Sequence, residues 1–135
     1  MSDFINKINS INGLSKIKGC SLKQVQEAQT ELDMSFPDEF IDYVREFGCI
    51  DFGPTEWTGL NIEGYLNTVT ATKEEKEFNS SFPQKHFVLE DLNIDAKKII
   101  VNENGEVFLL QYDNKTFLCN SLSEYLDICI KRMNN

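Results

Sequence analysis

The chain has few of the residues that build metal centres. It contains a single histidine, His86, in 135 residues, and its four cysteines stand far apart, at positions 20, 49, 119 and 129. Structural metal sites usually place cysteine or histidine ligands in pairs at short spacing, and no Cys-x-x-Cys pair occurs. We therefore predict no metal site, no cofactor and no disulfide, and interpret Cys119 and Cys129 as small core residues.

Long hydrophobic runs are also missing. No apolar stretch approaches the roughly 20 residues that a helix needs to span a bilayer. The segment Met1-Ser2-Asp3-Phe4 lacks the basic and apolar regions of a secretory signal peptide. We therefore expect a cytoplasmic protein without a membrane partner.

Recognisable catalytic motifs are absent as well. The sequence has no Gly-rich phosphate loop and no Ser-His-Asp signature. Adjacent acids such as Glu74-Glu75 and Glu90-Asp91 are expected by chance among 22 carboxylates, and exposed surface is the usual place for such side chains. We predict no catalytic residues.

Negative charge is abundant and unevenly distributed. Acids outnumber bases by 22 to 13, which gives a net charge of −9. Residues 24–63 contain ten acids and one base, Arg45, and so carry a net charge of −9 by themselves, whereas residues 1–23 are basic. Such a surface repels nucleic acid and anionic membranes and attracts a basic protein. The ordinary solubility of an acidic protein is the alternative interpretation.

The clearest local pattern lies between residues 36 and 48. A proline at the start and a glycine at the end predict a helix that begins at Pro37 and ends at Gly48. Apolar residues recur at i, i+4 and i+7 and define a buried face: Phe40, Val44 and Phe47. Acids lie mostly on the opposite side: Asp38, Glu39, Asp42 and Glu46.

Further helices are predicted near both ends of the chain. Apolar spacing indicates a short helix over residues 4–11 and a second over 22–33, which Ser21 and Gln24 open as a capping box. A final helix follows a second capping box, formed by Ser121 and Glu124. Its apolar positions extend from Leu122 to Met133.

Strands are predicted between these helices. Residues 57–62 and 86–89 have strand character, and residues 64–80 favour a helix except for the β-branched run Thr68-Val69-Thr70. Residues 99–101, 107–112 and 116–119 form an antiparallel meander, with Asn104-Gly105 as one turn and residues 113–115 as the other. The predicted fold is a single α+β domain over residues 1–135, with an antiparallel, meander-containing sheet packed against N-terminal helices and a C-terminal helix.

Four motifs in this order resemble those of the SMI1/KNR4 proteins, also called the SUKH superfamily, over about residues 14–130. The motifs are Lys18-Gly19-Cys20-Ser21, the helix from Phe36-Pro37 to Gly48, Gly105-Glu106-Val107 and Ser121-Leu122-Ser123-Glu124-Tyr125-Leu126. An acidic position of the family falls on Glu27 or Glu31. The chain departs from the family pattern at Phe36, where leucine is usual, and at Cys49-Ile50, where a glycine-rich continuation is frequent.

This resemblance implies a non-catalytic protein that binds another protein. Bacterial members are mostly immunity proteins of polymorphic-toxin and contact-dependent inhibition systems, and they block a cognate toxin that is commonly a nuclease or deaminase. Fungal members are cell-wall regulators and interaction hubs. We therefore expect a cytoplasmic immunity protein of the bacterial type that occludes a nucleic-acid-acting toxin, with a regulatory scaffold that binds host proteins as the alternative.

Partner-binding residues are predicted from negative charge and aromatic character. The candidates are Asp38, Asp42, Glu46, Asp51, Glu56, Trp57 and Tyr65. Trp57 and Tyr65 are interpreted either as aromatic anchors or as core residues. The predicted partner is a toxin with a basic active-site surface, and the protein itself is expected to be a monomer or weak homodimer that makes no direct contact with nucleic acid.

An enzymatic alternative is a small hydrolase that pairs Cys20 or Cys49 with His86. No local sequence signature surrounds these residues.

Overall fold

The computed structural model describes residues 3–134 and shows an α+β domain, which confirms the predicted fold class. The helices are α1 (Asp3–Asn9), α2 (Leu22–Leu32), α3 (Asp38–Phe47), α4 (Thr68–Phe78) and α5 (Leu122–Met133), with a short 3₁₀ helix at Gly64–Leu66. The strands are β1 (Ser15–Lys16), β2 (Ile50–Phe52), β3 (Thr55–Trp57), β4 (His86–Asp91), β5 (Lys97–Asn102), β6 (Val107–Gln111) and β7 (Asn114–Cys119).

The strands form two antiparallel sheets, where the sequence predicted one. The smaller sheet has the order β1-β2-β3 and the larger the order β4-β5-β6-β7. Thr58 connects them, because its backbone N–H donates to the Leu89 carbonyl at 2.7 Å and its hydroxyl donates to the Val88 carbonyl at 2.8 Å. The end of β3 is therefore fixed against β4.

The predicted helix between Pro37 and Gly48 is confirmed with one change at its start. Pro37 has a ψ of 152°, outside the helical range, so the first helical residue is Asp38. The Pro37 carbonyl still accepts the Ile41 N–H at 3.1 Å. Gly48 ends the helix with a φ of 70°, a conformation that glycine adopts without steric cost.

Both predicted capping boxes lie at helix starts. At α2, the Ser21 hydroxyl accepts the Gln24 N–H, and the Gln24 side chain accepts the Ser21 N–H at 2.8 Å. At α5, the Ser121 hydroxyl accepts the Glu124 N–H at 3.1 Å. The Glu124 carboxylate, however, accepts the N–H of Asn120, one residue before the position that a standard capping box uses.

The segment between residues 49 and 98 differs most from expectation. The predicted strand over 57–62 is wrong, because β3 ends at Trp57 and the chain then turns to make the bonds of Thr58 with β4. Helix α4 forms although its first three residues, Thr68, Val69 and Thr70, are β-branched. The Thr68 hydroxyl donates to the Gly59 carbonyl at 3.1 Å, so tertiary bonds outweigh the weak helix propensity.

The meander of the larger sheet is confirmed. Its second turn lies earlier than predicted, because Gln111 pairs with Asn114 and only residues 112 and 113 remain between the strands. Tyr112 takes a φ of 56° in this turn.

The main core lies between the sheets and helices α1, α2, α3 and α5, and Trp57 is its largest fully buried side chain. Trp57 is 0% exposed and has ring contacts with Phe4, Tyr43 and Tyr125. The interpretation of Trp57 as a partner-binding anchor is therefore wrong for this structure, and its alternative, a core residue, is correct. A large aromatic side chain contributes more to folding stability when it is buried than when it is exposed.

Candidate functional site

The predicted acidic residues of α3 lie on its outer face. Asp38, Asp42 and Glu46 are exposed at four-residue intervals, so they form a row along the helix. Asp38 also borders a recess beside the β5–β6 turn, together with Glu103 and Asn120. This row is one of two acidic surfaces that contain predicted site residues.

The second surface contains the predicted residues Asp51, Glu56 and Tyr65. Asp51 and Glu56 face each other in the register of β2 and β3, with Asp51 exposed between two buried neighbours. The Tyr65 hydroxyl donates to the Glu56 carboxylate at 3.2 Å. The negative charge of Glu56 raises the pKa of the Tyr65 hydroxyl, since it disfavours a tyrosinate nearby.

Glu56 and Tyr65 also line a groove that we call the acidic groove. It has a volume of about 230 Å³ and lies between the 3₁₀ helix and α4 on one side and strands β4 and β5 on the other. Besides Glu56, its lining includes exposed residues at the rim and two half-buried charged ones: Tyr65, Glu74, Phe78, Asp91 and Asn93, with Glu75 and Lys98. Its floor is largely apolar and includes Leu66, Ala71 and Val88.

Helix α4 presents one face to the acidic groove. Ala71, Glu74, Glu75 and Phe78 follow the i, i+3, i+4, i+7 spacing that aligns side chains on a helix. Phe78 is 87% exposed and Tyr65 is 67% exposed, so two aromatic rings stand in solvent at the rim. Single exposed apolar residues are ordinary, but two aromatics at the rim of one groove are typical of a binding surface.

The charges of the acidic groove are only partly compensated. Lys98 bonds Glu75 at 3.7 Å and Asp91 at 3.3 Å, and so joins α4 to the sheet. Among residues 3–134, no side-chain nitrogen of a lysine or arginine lies within 4 Å of a carboxylate oxygen of Glu56 or Glu74. The groove therefore has an excess of negative charge.

Sequence reasoning missed the α4 half of this groove. Glu74-Glu75 and Asp91 were interpreted as chance acids on an exposed surface. The helical spacing of Glu74 and Phe78 was available in the sequence, but the 64–80 segment also contained β-branched residues that weakened the helix prediction. The approach of Glu56 to α4 depends on the turn after Trp57, which no local pattern predicted.

The geometry does not favour the Cys–His alternative. Cys49 donates its thiol hydrogen to the Trp57 carbonyl, 3.1 Å away, and burial raises its pKa to about 11. His86 bonds the Gln84 carbonyl and packs against Phe108. Burial lowers the pKa of His86 and raises the pKa of Cys20, so neither cysteine is held as a reactive thiolate.

A buried ionic cluster joins α5 to the sheets. Glu90 is 2% exposed, accepts the Tyr125 hydroxyl at 2.5 Å and pairs with Arg132 at 3.1 Å. Arg132 also donates to the Thr55 hydroxyl. Burial raises the pKa of Glu90 more than the Tyr125 and Arg132 contacts lower it. Since the carboxylate is enclosed, we assign this cluster to stability.

Residues 3–134 lack two features that define other classes of protein. No cluster of three or more histidine, cysteine, aspartate or glutamate residues has a geometry that could hold a metal ion. No helix in the described part of the chain combines the length and apolar character needed to cross a membrane.

The α+β domain thus combines acidic surfaces with an aromatic-rimmed groove. Comparison with known families identifies its class, because the family model described as SUKH_5, SMI1-KNR4 cell-wall, matches residues 1–131. The chain belongs to the SMI1/KNR4 (SUKH) family. The match includes α1, which lies outside the 14–130 range covered by the motifs. No curated protein matches the chain significantly.

Proposed function

We propose that the protein is a cytoplasmic immunity protein that binds a cognate toxin and neutralises it by occlusion. Family membership supports this class, since SUKH proteins are generally non-catalytic immunity proteins. The observation that carries the proposal is the separation of apolar and acidic residues. Phe40 and Phe47 of α3 are buried, while the carboxylates of Asp42 and Glu46 on the same helix face solvent.

The proposed partner is a nuclease or another nucleic-acid-acting toxin. Such enzymes bind phosphate backbones through basic surfaces, and a surface of opposite sign is attracted to them. The candidate contacts on this protein are four exposed carboxylates, one half-buried carboxylate and an exposed tyrosine: Asp38, Asp42, Glu46, Asp51, Glu56 and Tyr65. Occlusion requires only that the complex cover the nucleic-acid path, so no catalytic group is needed.

Co-expression tests the proposed function. Cells that carry the toxin encoded beside this gene are expected to grow when the protein is present and to stop growing when it is absent. Gel filtration of the purified pair is expected to show one complex, because occlusion needs stable binding. An absence of protection together with separate elution of the two proteins would rule out the immunity function.

A regulatory scaffold is the second candidate, and the description of the matched family model, which refers to the cell wall, favours it. In that case the protein would bind several host proteins without a toxin. An adjacent gene for a large secreted toxin favours immunity. Recovery of the same host proteins from cells that lack any such gene favours regulation.

A further inference from the structure

We propose that the acidic groove is a docking pocket for one arginine side chain projected by a partner protein. This inference deepens the proposed function, since the toxin would supply the arginine, but it concerns the chemistry of the contact and is tested separately. It adds Glu74, Glu75, Phe78 and Asp91 to the binding surface.

The shape of the acidic groove suits a single long side chain. Its volume of about 230 Å³ is below the roughly 300–1,000 Å³ of small-molecule sites. Its floor contains Leu66, Ala71 and Val88, against which the methylene groups of a long side chain can pack. An arginine has this combination of an apolar stem and a charged end.

The charge of the acidic groove suits a cation from outside the chain. Lys98 is already held between Glu75 and Asp91, on the sheet side of the groove. Glu56 and Glu74 have no cationic partner among residues 3–134. A guanidinium group offers several N–H donors in a fixed plane and can bond two carboxylates at once.

The exposed aromatics favour arginine over lysine. The rings of Tyr65 and Phe78 stand in solvent at the rim, where a planar guanidinium can stack on them. Phe78 is the last residue of α4 and is 87% exposed. Burial of its ring against a partner would therefore contribute favourably to binding.

The walls of the acidic groove are fixed before any partner binds. The Tyr65 hydroxyl bonds the Glu56 carboxylate at 3.2 Å and so orients it. On the other wall, the Thr72 hydroxyl accepts the Val88 N–H at 2.9 Å and holds α4 against β4. A site that is already ordered loses less entropy on binding.

The test is a heteronuclear NMR titration of the full chain with a blocked pentapeptide, Gly-Leu-Arg-Leu-Gly. The amide signals of Tyr65, Glu74 and Phe78 are expected to shift at millimolar peptide. The same peptide with citrulline in place of arginine keeps the shape and loses the charge, and it is expected to bind about tenfold more weakly. This comparison uses the unmodified protein, so its outcome does not depend on whether a variant folds.

A pair of charge variants with matched charge loss distinguishes the groove from the net charge of the protein. The double variant Glu56→Gln, Glu74→Gln is expected to weaken binding of the arginine peptide about tenfold. The control Glu63→Gln, Glu77→Gln removes two exposed carboxylates that do not line the groove and is expected to leave binding within about twofold. Equal loss in both variants, or equal binding of the citrulline peptide, would overturn the proposal.

The lysine peptide, Gly-Leu-Lys-Leu-Gly, is expected to bind more weakly than the arginine peptide. Equal or tighter binding would contradict the assignment of arginine. The outcome is independent of the toxin experiment: protection without peptide binding rejects the pocket alone, and peptide binding without protection rejects the immunity function alone.

Discussion

Replacement of Arg132 by methionine is expected to lower the free energy of unfolding by about 3 kcal/mol near pH 8. The change leaves the Glu90 carboxylate, 2% exposed, with the Tyr125 hydroxyl as its remaining strong partner. Loss of one member of a buried ion pair costs roughly 3–5 kcal/mol, and the lower end applies because the Arg132 side chain is 33% exposed. Urea unfolding measures the effect.

The loss caused by Arg132→Met is expected to shrink in acid. Burial already raises the pKa of Glu90 above its usual value, and removal of the arginine raises it further. The folded state then binds more protons than the unfolded state in the interval above the ordinary glutamate pKa, so stability falls as pH rises through that interval. Unfolding curves near pH 5 should therefore show a smaller difference from the unmodified protein than curves near pH 8.

The control for this prediction removes both charges. In the double variant Glu90→Gln, Arg132→Met, the glutamine oxygen can still accept the Tyr125 hydroxyl, and no charge remains buried. Its stability is expected to lie within about 1 kcal/mol of the unmodified protein, since loss of a whole buried pair is often close to neutral. A double variant as unstable as Arg132→Met would show that the cost comes from lost packing rather than from an unpaired carboxylate.

Replacement of Gly59 by alanine is expected to destabilise the fold by roughly 4 kcal/mol or more, at the extreme end of single substitutions. A Cβ at this position would lie 1.8 Å from the Gly48 carbonyl oxygen, which also accepts the Leu60 N–H at 2.9 Å. Relief of that clash requires the end of α3 to separate from the segment after β3. Thermal unfolding and urea unfolding each measure the loss of free energy of unfolding.

Gly64→Ala is the matched control. Gly64 lies in the same connection and has a φ of 87°, but a Cβ there would meet no atom within 4 Å. Its expected cost is about 1–2 kcal/mol, the conformational penalty of a left-handed backbone alone. Similar losses in the two variants would mean that the close approach at Gly59 is relieved without disruption of the neighbouring hydrogen bonds.

Local patterns were sufficient to predict most of the helices and the meander. Ser21 with Gln24 and the Pro37-to-Gly48 segment each contain their own start or stop chemistry, so the sequence shows them directly. The region around Trp57 did not follow from local patterns. There the chain direction depends on hydrogen bonds from Thr58 to β4, about 30 residues later in the sequence, and such non-local contacts leave no periodic signal.

The residues of the candidate site likewise divide into those that the sequence predicted and those that depend on non-local contacts. Asp51, Glu56 and Tyr65 were predicted, and the structure brings them near one another. Trp57 was predicted to be a contact residue because tryptophan is common in binding sites. A large aromatic side chain also gains most from burial in the core, and that is where Trp57 lies. Glu74 and Phe78 were missed because their relation to Glu56 exists only after α4 packs on the sheet.

The association rate of this protein with the proposed toxin partner tests the central claim that surface carboxylates recognise a basic protein. Stopped-flow measurements at about 0.01 M and about 0.15 M salt compare Debye lengths of roughly 30 Å and 8 Å. We predict that the rate constant falls at least about tenfold at the higher salt concentration, because electrostatic steering is screened. A rate constant that is the same at both salt concentrations would contradict the claim.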